Sequence, residues 1–444
     1  METERMFIME EKVLQVGYAR ADITPDYQVC ISGYGDDETR HSEGVRDPIY
    51  LTCIAITSGD DTILLYDADL LSVHDDLGNQ ARDLVSPATG IPAHNMFFGA
   101  THSHSSPAIY TSRECDTRFR GEFLDAAVKV AQEALADRAP SQMLTNTKII
   151  KGMNFVRHYL TEAGGYTGSN FGDQKARFVG HAAESDPRLL ILKFAREGKP
   201  DVVLMNWQAH NDNCKQVGYY LISSSYVGHV RSKFEELTGM HFAFFQGASG
   251  NQNASSRIPE EHHNLDYIAY GEKMAQYAVE TMQNLKPVAG TDIVTTHMVY
   301  EAPVDHSWDH LLEQAKEVHR VWKTEGKPQG DALGKTYGFT SSYQSRDIIA
   351  RAAMGPTTQV ELNAFRIGDM GFITSPNEVF STVGIHVRLH GPFDNTFIIT
   401  GNCRYLPCMA AYEYRSYESD TGLFAKGTAE NVADTFVEML EKVR

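Results

Sequence analysis

The sequence predicts an α/β fold in which mixed sheets are flanked by helices, built from three ββαβ units whose strand ends converge on one site. Three observations predict it. Short apolar runs of strand length alternate with longer stretches of helical periodicity. The order strand, glycine turn, strand, helix, strand occurs three times. Each occurrence finishes on an apolar strand that passes into small and polar residues, at 97–104, 243–251 and 397–405.

The first unit has strands at 51–56 and 62–66 around Gly59-Asp60, and closes with a strand at 96–100. The second has strands at 189–194 and 202–207 around Glu197-Gly198-Lys199, a helix at 227–237 and a strand at 241–245. The third has strands at 362–367 and 370–374 around Gly368-Asp369, a helix at 379–389 and a strand at 395–400. Helical periodicity also marks 121–137, 265–285, 311–323 and 429–443. No low-complexity linker divides the chain, so 1–444 is expected to form a single catalytic domain, with roughly 258–345 as a helical insertion. The Gly-, Ser- and Thr-rich stretches 160–185 and 327–355 are expected to be surface loops or lids.

With 40 Lys and Arg against 58 Asp and Glu, the formal charge is −18, which disfavours binding to nucleic-acid phosphates. Apolar runs such as 242–245 are far shorter than the roughly 20 residues of a membrane-spanning helix. The acidic start lacks the pattern of a secretory signal, and six cysteines in 444 residues make no disulfide framework. A cytoplasmic location is the expectation. Cys403-x4-Cys408 has no second cysteine pair and reads as two small residues near a strand.

Four places offer metal-binding chemistry. His102 and His104 follow an apolar strand, and on an extended segment residues i and i+2 point the same way. His210 ends a strand and precedes Asn211, Asp212 and Asn213. Glu378 lies between a strand and a helix, where a carboxylate also complements the helix dipole. Tyr405 lies beyond the last strand. Singly, each is also explained by packing or solvation. Together they offer N and O ligands to one divalent ion, with a position left for water. Gly247–Asn251 reads equally as a backbone nest for an oxyanion and as a tight turn. Arg113, Arg118 and Arg120 read as a solvated helix start or as a contact for an anionic substrate.

Several segments, in order, resemble the neutral/alkaline (non-lysosomal) ceramidases. They are Gly17-Tyr18-Ala19-Arg20-Ala21-Asp22-Ile23-Thr24-Pro25, Gly33-Tyr34-Gly35, Val45-Arg46-Asp47-Pro48 and Ala100-Thr101-His102-Ser103-His104-Ser105-Ser106-Pro107. The strand into His210, Leu221-Ile222-Ser223, Phe365-Arg366-Ile367-Gly368, Pro376-Asn377-Glu378 and the spacing of Tyr405, Tyr412 and Tyr417 complete the series. The resemblance implies one zinc ion, held by His102, His210, Glu378 and Tyr405, and hydrolysis of an N-acyl bond in a small molecule. It puts His104 and Arg157 at substrate-contacting positions. Two features depart from it. Asn253 stands where the family carries a serine proposed to be catalytic, and the chain ends soon after the tyrosine segment, before any immunoglobulin-like domain. The reaction therefore stays open between amide hydrolysis, with His104, Arg157 and Asn253 around the reacting group, and zinc-dependent ester, lactone or phosphoester hydrolysis. Binding of the metal without catalysis is a third alternative.

Overall fold

A computed structural model describes residues 13–35, 39–109, 114–169, 171–214 and 218–444. Three stretches of chain fold alike. The first contains β1 (Leu14–Asp22), β2 (Tyr50–Ser58), β3 (Asp61–Ala68), α1 (Asp75–Thr89), β4 (Met96–Ala100) and α2 (Glu114–Ala136). The second contains β5 (Ala139–Ile149), β6 (Arg188–Arg196), β7 (Val202–Trp207), α3 (Ser225–Thr238), β8 (His241–Gln246) and α4 (Tyr267–Met282). The third contains β9 (Ile293–Pro303), β10 (Thr357–Ile367), β11 (Met370–Ser375), α8 (Ser381–His390), β12 (Thr396–Thr400) and α9 (Thr428–Val443). Between β9 and β10 lie α5 (Leu312–Glu325), α6 (Lys327–Thr336) and α7 (Ser342–Ala352).

Pairing is the same in all three. The first three strands run antiparallel, and the fourth returns over a helix to lie parallel to the third. The repeated unit is therefore βββαβα, one strand and one helix larger than the ββαβ unit expected. β1, β5 and β9 lack the nearly continuous apolar runs of the buried hairpins they flank, which leaves them with a weaker strand signal. β9, for instance, buries only Ile293 and Ala302 among its eleven residues.

Units one and two join edge to edge through β1 and β5, giving the order β8-β7-β6-β5-β1-β2-β3-β4, with Lys286–Pro287 added on β5. The third unit forms its own sheet, β9-β10-β11-β12. One apolar cluster fills the space between the sheets, with Phe97, Phe245, Phe372 and Phe397 fully or almost fully buried. Three others lie beneath the helix pairs α1/α2, α3/α4 and α8/α9. The fourth strands β4, β8 and β12 lie against one another. Matched positions Gly99, Phe245 and Ile399 meet there: a Cβ on Gly99 would come within 2.9 Å of Ile399 and 3.2 Å of Phe245.

Two expected boundaries change. Within 258–345, α4 and β9 belong to the repeats, so the helices outside them occupy 309–352. The stretch 327–355 is mostly α6 and α7, and 160–185 carries the three-stranded sheet of His158–Thr161, Tyr166–Gly168 and Phe178–His181. Some of the Gly and Ser residues sit at turns, as Gly164, Gly165 and Gly338 do, but Gly168 and Gly180 lie in strands and Gly330, Gly334 and Ser345 lie within helices. No described helix is long and apolar enough to cross a membrane. Cys53, Cys214, Cys403 and Cys408 carry free thiols, and Cys30 is disulfide-bonded.

Candidate metal and catalytic site

The repeat places the candidate residues. In units two and three, the residue three beyond the third strand is His210 and Glu378 respectively; in unit one it is Leu71. Unit one supplies His102 instead, two residues beyond its fourth strand. His102 has φ of 62°, and Asn402, at the same place in unit three, has 55°. The HxH segment is thus a left-handed turn and not the extended strand the sequence suggested. The turn still brings His104 Nε2 to 3.2 Å from His102 Nε2.

His102 Nδ1 donates to the Leu71 carbonyl at 2.8 Å, and His210 Nδ1 to that of Ser249 at 2.9 Å. A carbonyl can only accept, so each ring carries its proton on Nδ1 and, when neutral, a lone pair on Nε2. Those Nε2 atoms lie 3.1 Å apart, and Glu378 Oε2 is 3.4 Å from each. Glu378 Oε2 is buried without a hydrogen-bond partner. Burial alone would raise its pKa, but His102 and His210 outweigh that and hold the carboxyl down to about 2. Burial, then Arg157 and His102, lower the His210 pKa. Three acceptors therefore face one point. A proton on one of them would satisfy a single contact, whereas a cation at the centre satisfies all three. An ion with tetrahedral bonds of about 2.0–2.1 Å spaces its ligands roughly 3.3 Å apart, which these separations match. The donor set fits a divalent metal, zinc included.

His104 differs from the other two. Its Nδ1 is buried and unpartnered, whereas a ligating imidazole usually donates its second N–H to an acceptor, as His102 and His210 do. Burial, followed by its histidine neighbours, Arg157 and Arg40, pushes its pKa well below the usual value, so the ring is neutral.

Tyr405 pairs with Glu378 in a two-residue parallel ladder, Glu378–Val379 against Tyr405–Leu406. Glu378 thus belongs to a short strand, and α8 begins only at Ser381. The Tyr405 hydroxyl accepts from Arg157 at 3.2 Å. Burial and then Glu378 raise its pKa well above the ordinary phenol value, against the partial lowering by Arg157. Arg157 donates through Nε to Glu418 at 2.7 Å, and through Nη2 to the Gly250 carbonyl at 3.0 Å. Glu418 also meets His158 Nε2 at 2.8 Å, and His158 Nδ1 meets the Tyr414 hydroxyl at 2.6 Å. Sequence reasoning missed Glu418, His158 and Tyr414; the adjacency of Arg157 and His158 was the one available signal. Asn253 forms a bridge with His210, and its Oδ1 is buried without a partner.

Several expectations change. The amides of Gly247, Ser249, Gly250 and Gln252 bond to Trp207, Gly247, Val379 and Ser249 carbonyls, so the segment is a tight turn and not an anion nest. Asp212, two residues beyond His210, accepts from the Tyr34 hydroxyl at 3.0 Å through its carbonyl, while the Ser249 carbonyl orients the His210 ring. Arg120 is buried and tied to Asp76 and the Ile109 carbonyl, whereas Arg118 is exposed and pairs with Glu122 on the same helix face, as a solvated helix start does; Arg113 lies outside the described residues.

No protein-family model and no curated protein matches this sequence. Solved structures do. The chain is similar to neutral ceramidase from Pseudomonas aeruginosa, with a TM-score of 0.71 and 14% identity over 97% of this chain and 74% of that one. It is equally similar to a ceramidase complexed with C2, with a TM-score of 0.71 and 15% identity over 97% and 75% of the two chains. The chain has a neutral ceramidase-like fold.

Proposed function

We propose that the chain, acting as one catalytic domain, is a metal-dependent hydrolase that cleaves an amide (N-acyl) bond of a small molecule. Zinc is the ion, and His102, His210, Glu378 and Tyr405 hold it. The observation that carries this reading is the acceptor-only cluster of two imidazole Nε2 atoms and one carboxylate oxygen, 3.1–3.4 Å apart. When bound, such an ion supplies Lewis acidity toward water and toward the acyl oxygen.

The chain's own residues do the rest. His104, neutral and without a second partner, takes a proton from the attacking water at Nε2. It returns that proton to the nitrogen of the leaving amine as the C–N bond breaks, a role worth about 10²–10⁴-fold. Arg157, its charge balanced by Glu418, donates to the oxygen of the acyl group as negative charge develops, worth about 2.7–4 kcal/mol for one such donor. Asn253 has neither a hydroxyl nor a titratable group, so it forms no acyl-enzyme, and water is the nucleophile. Its unpartnered Oδ1 accepts the N–H of the scissile amide.

Metal analysis of protein purified without chelator, with rates on a panel of N-acyl amides, esters and phosphoesters, tests this. The expected result is one ion per chain and amide hydrolysis that His102→Ala and His210→Ala abolish. No bound metal, or turnover confined to esters or phosphoesters, overturns it.

A further inference from the structure

The wall of the cavity above the candidate site defines a substrate class. This cavity, of about 400 Å³, contacts His104, Arg157, Asn253 and Tyr405. That is near the lower end of the roughly 300–1,000 Å³ range of small-molecule pockets. Tyr34, Tyr343, Tyr417 and Lys327 complete its character, and among the described lining residues there is no aliphatic side chain, Phe or Trp. A second cavity of about 520 Å³ shares Asp212 and Asn253, and Leu265 is the one large aliphatic residue in its described lining.

The tyrosines are fixed. The Tyr34 ring lies 5.2 Å from that of His104, and Tyr343 donates its hydroxyl to the Tyr34 carbonyl at 3.1 Å. Gly33 and Gly35, both at positive φ, make this packing feasible. A Cβ on Gly33 would fall 2.6 Å from His104 Cα, and one on Gly35 2.9 Å from the Tyr343 ring. Lys327 Nζ lies 4.8 Å from the Tyr343 ring centroid and bonds to Asp331 at 2.7 Å. The helices between β9 and β10 thus build one wall of the cavity, with α6 supplying Lys327 and α7 supplying Tyr343.

We infer that the cavity takes a compact, hydroxyl-rich N-acyl amine, with an acyl group of only a few carbons on a sugar-like ring, and not a long-chain N-acyl lipid. This rests on the hydrolase reading and narrows it. A long alkyl chain needs apolar wall to leave water favourably, and here it would cover hydroxyls and charges that lose hydration without gaining partners. A ring with hydroxyls on its edge gives the tyrosine faces something flat to pack on, and gives Asn253, Asp212 and Lys327 groups to bond.

The test uses full-length, zinc-loaded protein. Hydrolysis is measured on a hexosamine carrying acetyl, butanoyl, octanoyl or hexadecanoyl groups, and binding of each compound is followed by calorimetry. The expected result is a kcat/KM at least 10-fold higher for acetyl than for octanoyl. Tyr343→Ala should raise KM for the acetyl compound at least 10-fold, and Tyr343→Phe should restore most of that loss by keeping the ring. Rates that rise with chain length overturn this inference and leave the hydrolase reading intact. Binding of the acetyl compound without turnover of any member upholds the inference and overturns the hydrolase reading. Neither binding nor turnover overturns both.

Discussion

Unit one and unit two share a backbone plan and divide the chemistry differently. Three residues past its third strand, unit two presents His210; unit one presents Leu71, whose carbonyl orients His102. The third and fourth strands meet alike in both: Thr101 N donates to the Ala68 carbonyl at 2.8 Å, and Gly247 N to that of Trp207 at 2.9 Å. Backbone geometry therefore sets where a ligand can stand, and single side-chain choices decide whether one does. An approximately three-fold scaffold carries an asymmetric candidate site because Leu71 occupies one of the three equivalent places and His102 enters from a neighbouring turn.

The sharpest way to break this comparison is substitution at the equivalent places. His210→Ala is expected to weaken zinc binding by more than about 100-fold, beyond the usual effect of losing an outer partner. Leu71→Ala, which keeps the carbonyl, should change it by less than about 3-fold. Competition titration with a chromophoric chelator reads both. Comparable losses in the two variants would show that Leu71's side chain, and not its carbonyl, supports the ion.

The hairpins and closing strands were legible because their apolar runs are nearly continuous: β7 and β11 are buried at every position. The four proposed ligand residues were legible because each stands where such a run gives way to polar residues. What stayed hidden depends on distant contacts. Glu418 reaches Arg157 across 261 positions, and no local pattern encodes that. The roles of the Leu71 and Ser249 carbonyls are independent of their side chains. The left-handed turn at His102 runs against the ordinary preference of a non-glycine residue. Tyr343 belongs to a segment whose Gly and Ser content resembles a loop.

The units are clamped in a ring. Arg82 on α1 reaches Glu361 of unit three at 2.9 Å, Arg231 on α3 reaches Asp69 of unit one at 2.7 and 2.8 Å, and Arg388 on α8 bonds to Asp186 of unit two. Their surroundings differ. Asp69 and Asp186 are 0% and 1% exposed, whereas Glu361 is 30% exposed. Arg231→Met should cost about 3–5 kcal/mol by stranding the Asp69 carboxylate, and Arg388→Met less than that, because Arg188 still bonds to Asp186 at 2.7 and 3.1 Å. Arg82→Met should cost no more than about 1 kcal/mol. Urea unfolding at neutral pH measures all three, and equal costs would mean that burial does not govern the ring. At the axis, Gly99→Ala should cost about 1–3 kcal/mol, because the methyl group meets Ile399 and Phe245.

The subtlest difference between the units is a single atom type. Asp67 in β3 and Asn206 in β7 hold the same register against their fourth strands. Each accepts a backbone N–H from the next unit, Asp67 from Phe244 at 3.1 Å and Asn206 from Ile398 at 3.0 Å. Asn206 does so without charge. For Asp67, burial and then Asp69 raise the pKa to about 8, despite Arg231 and the Phe244 N–H. The folded state thus keeps a proton on Asp67 that the unfolded chain releases near the ordinary carboxyl value of about 4. Its contribution to stability is complete below about pH 4 and is lost as the pH climbs through 8, since the folded form binds more protons across that window. Asp67→Asn copies the second unit's choice into the first. It should remove this loss, so that stability compared between pH 5 and pH 8 falls by at least about 1 kcal/mol less than in the parent. Chemical denaturation at the two pH values measures the difference, and an unchanged pH dependence would mean that Asp67 is ionised in the folded protein and that Arg231 neutralises both aspartates.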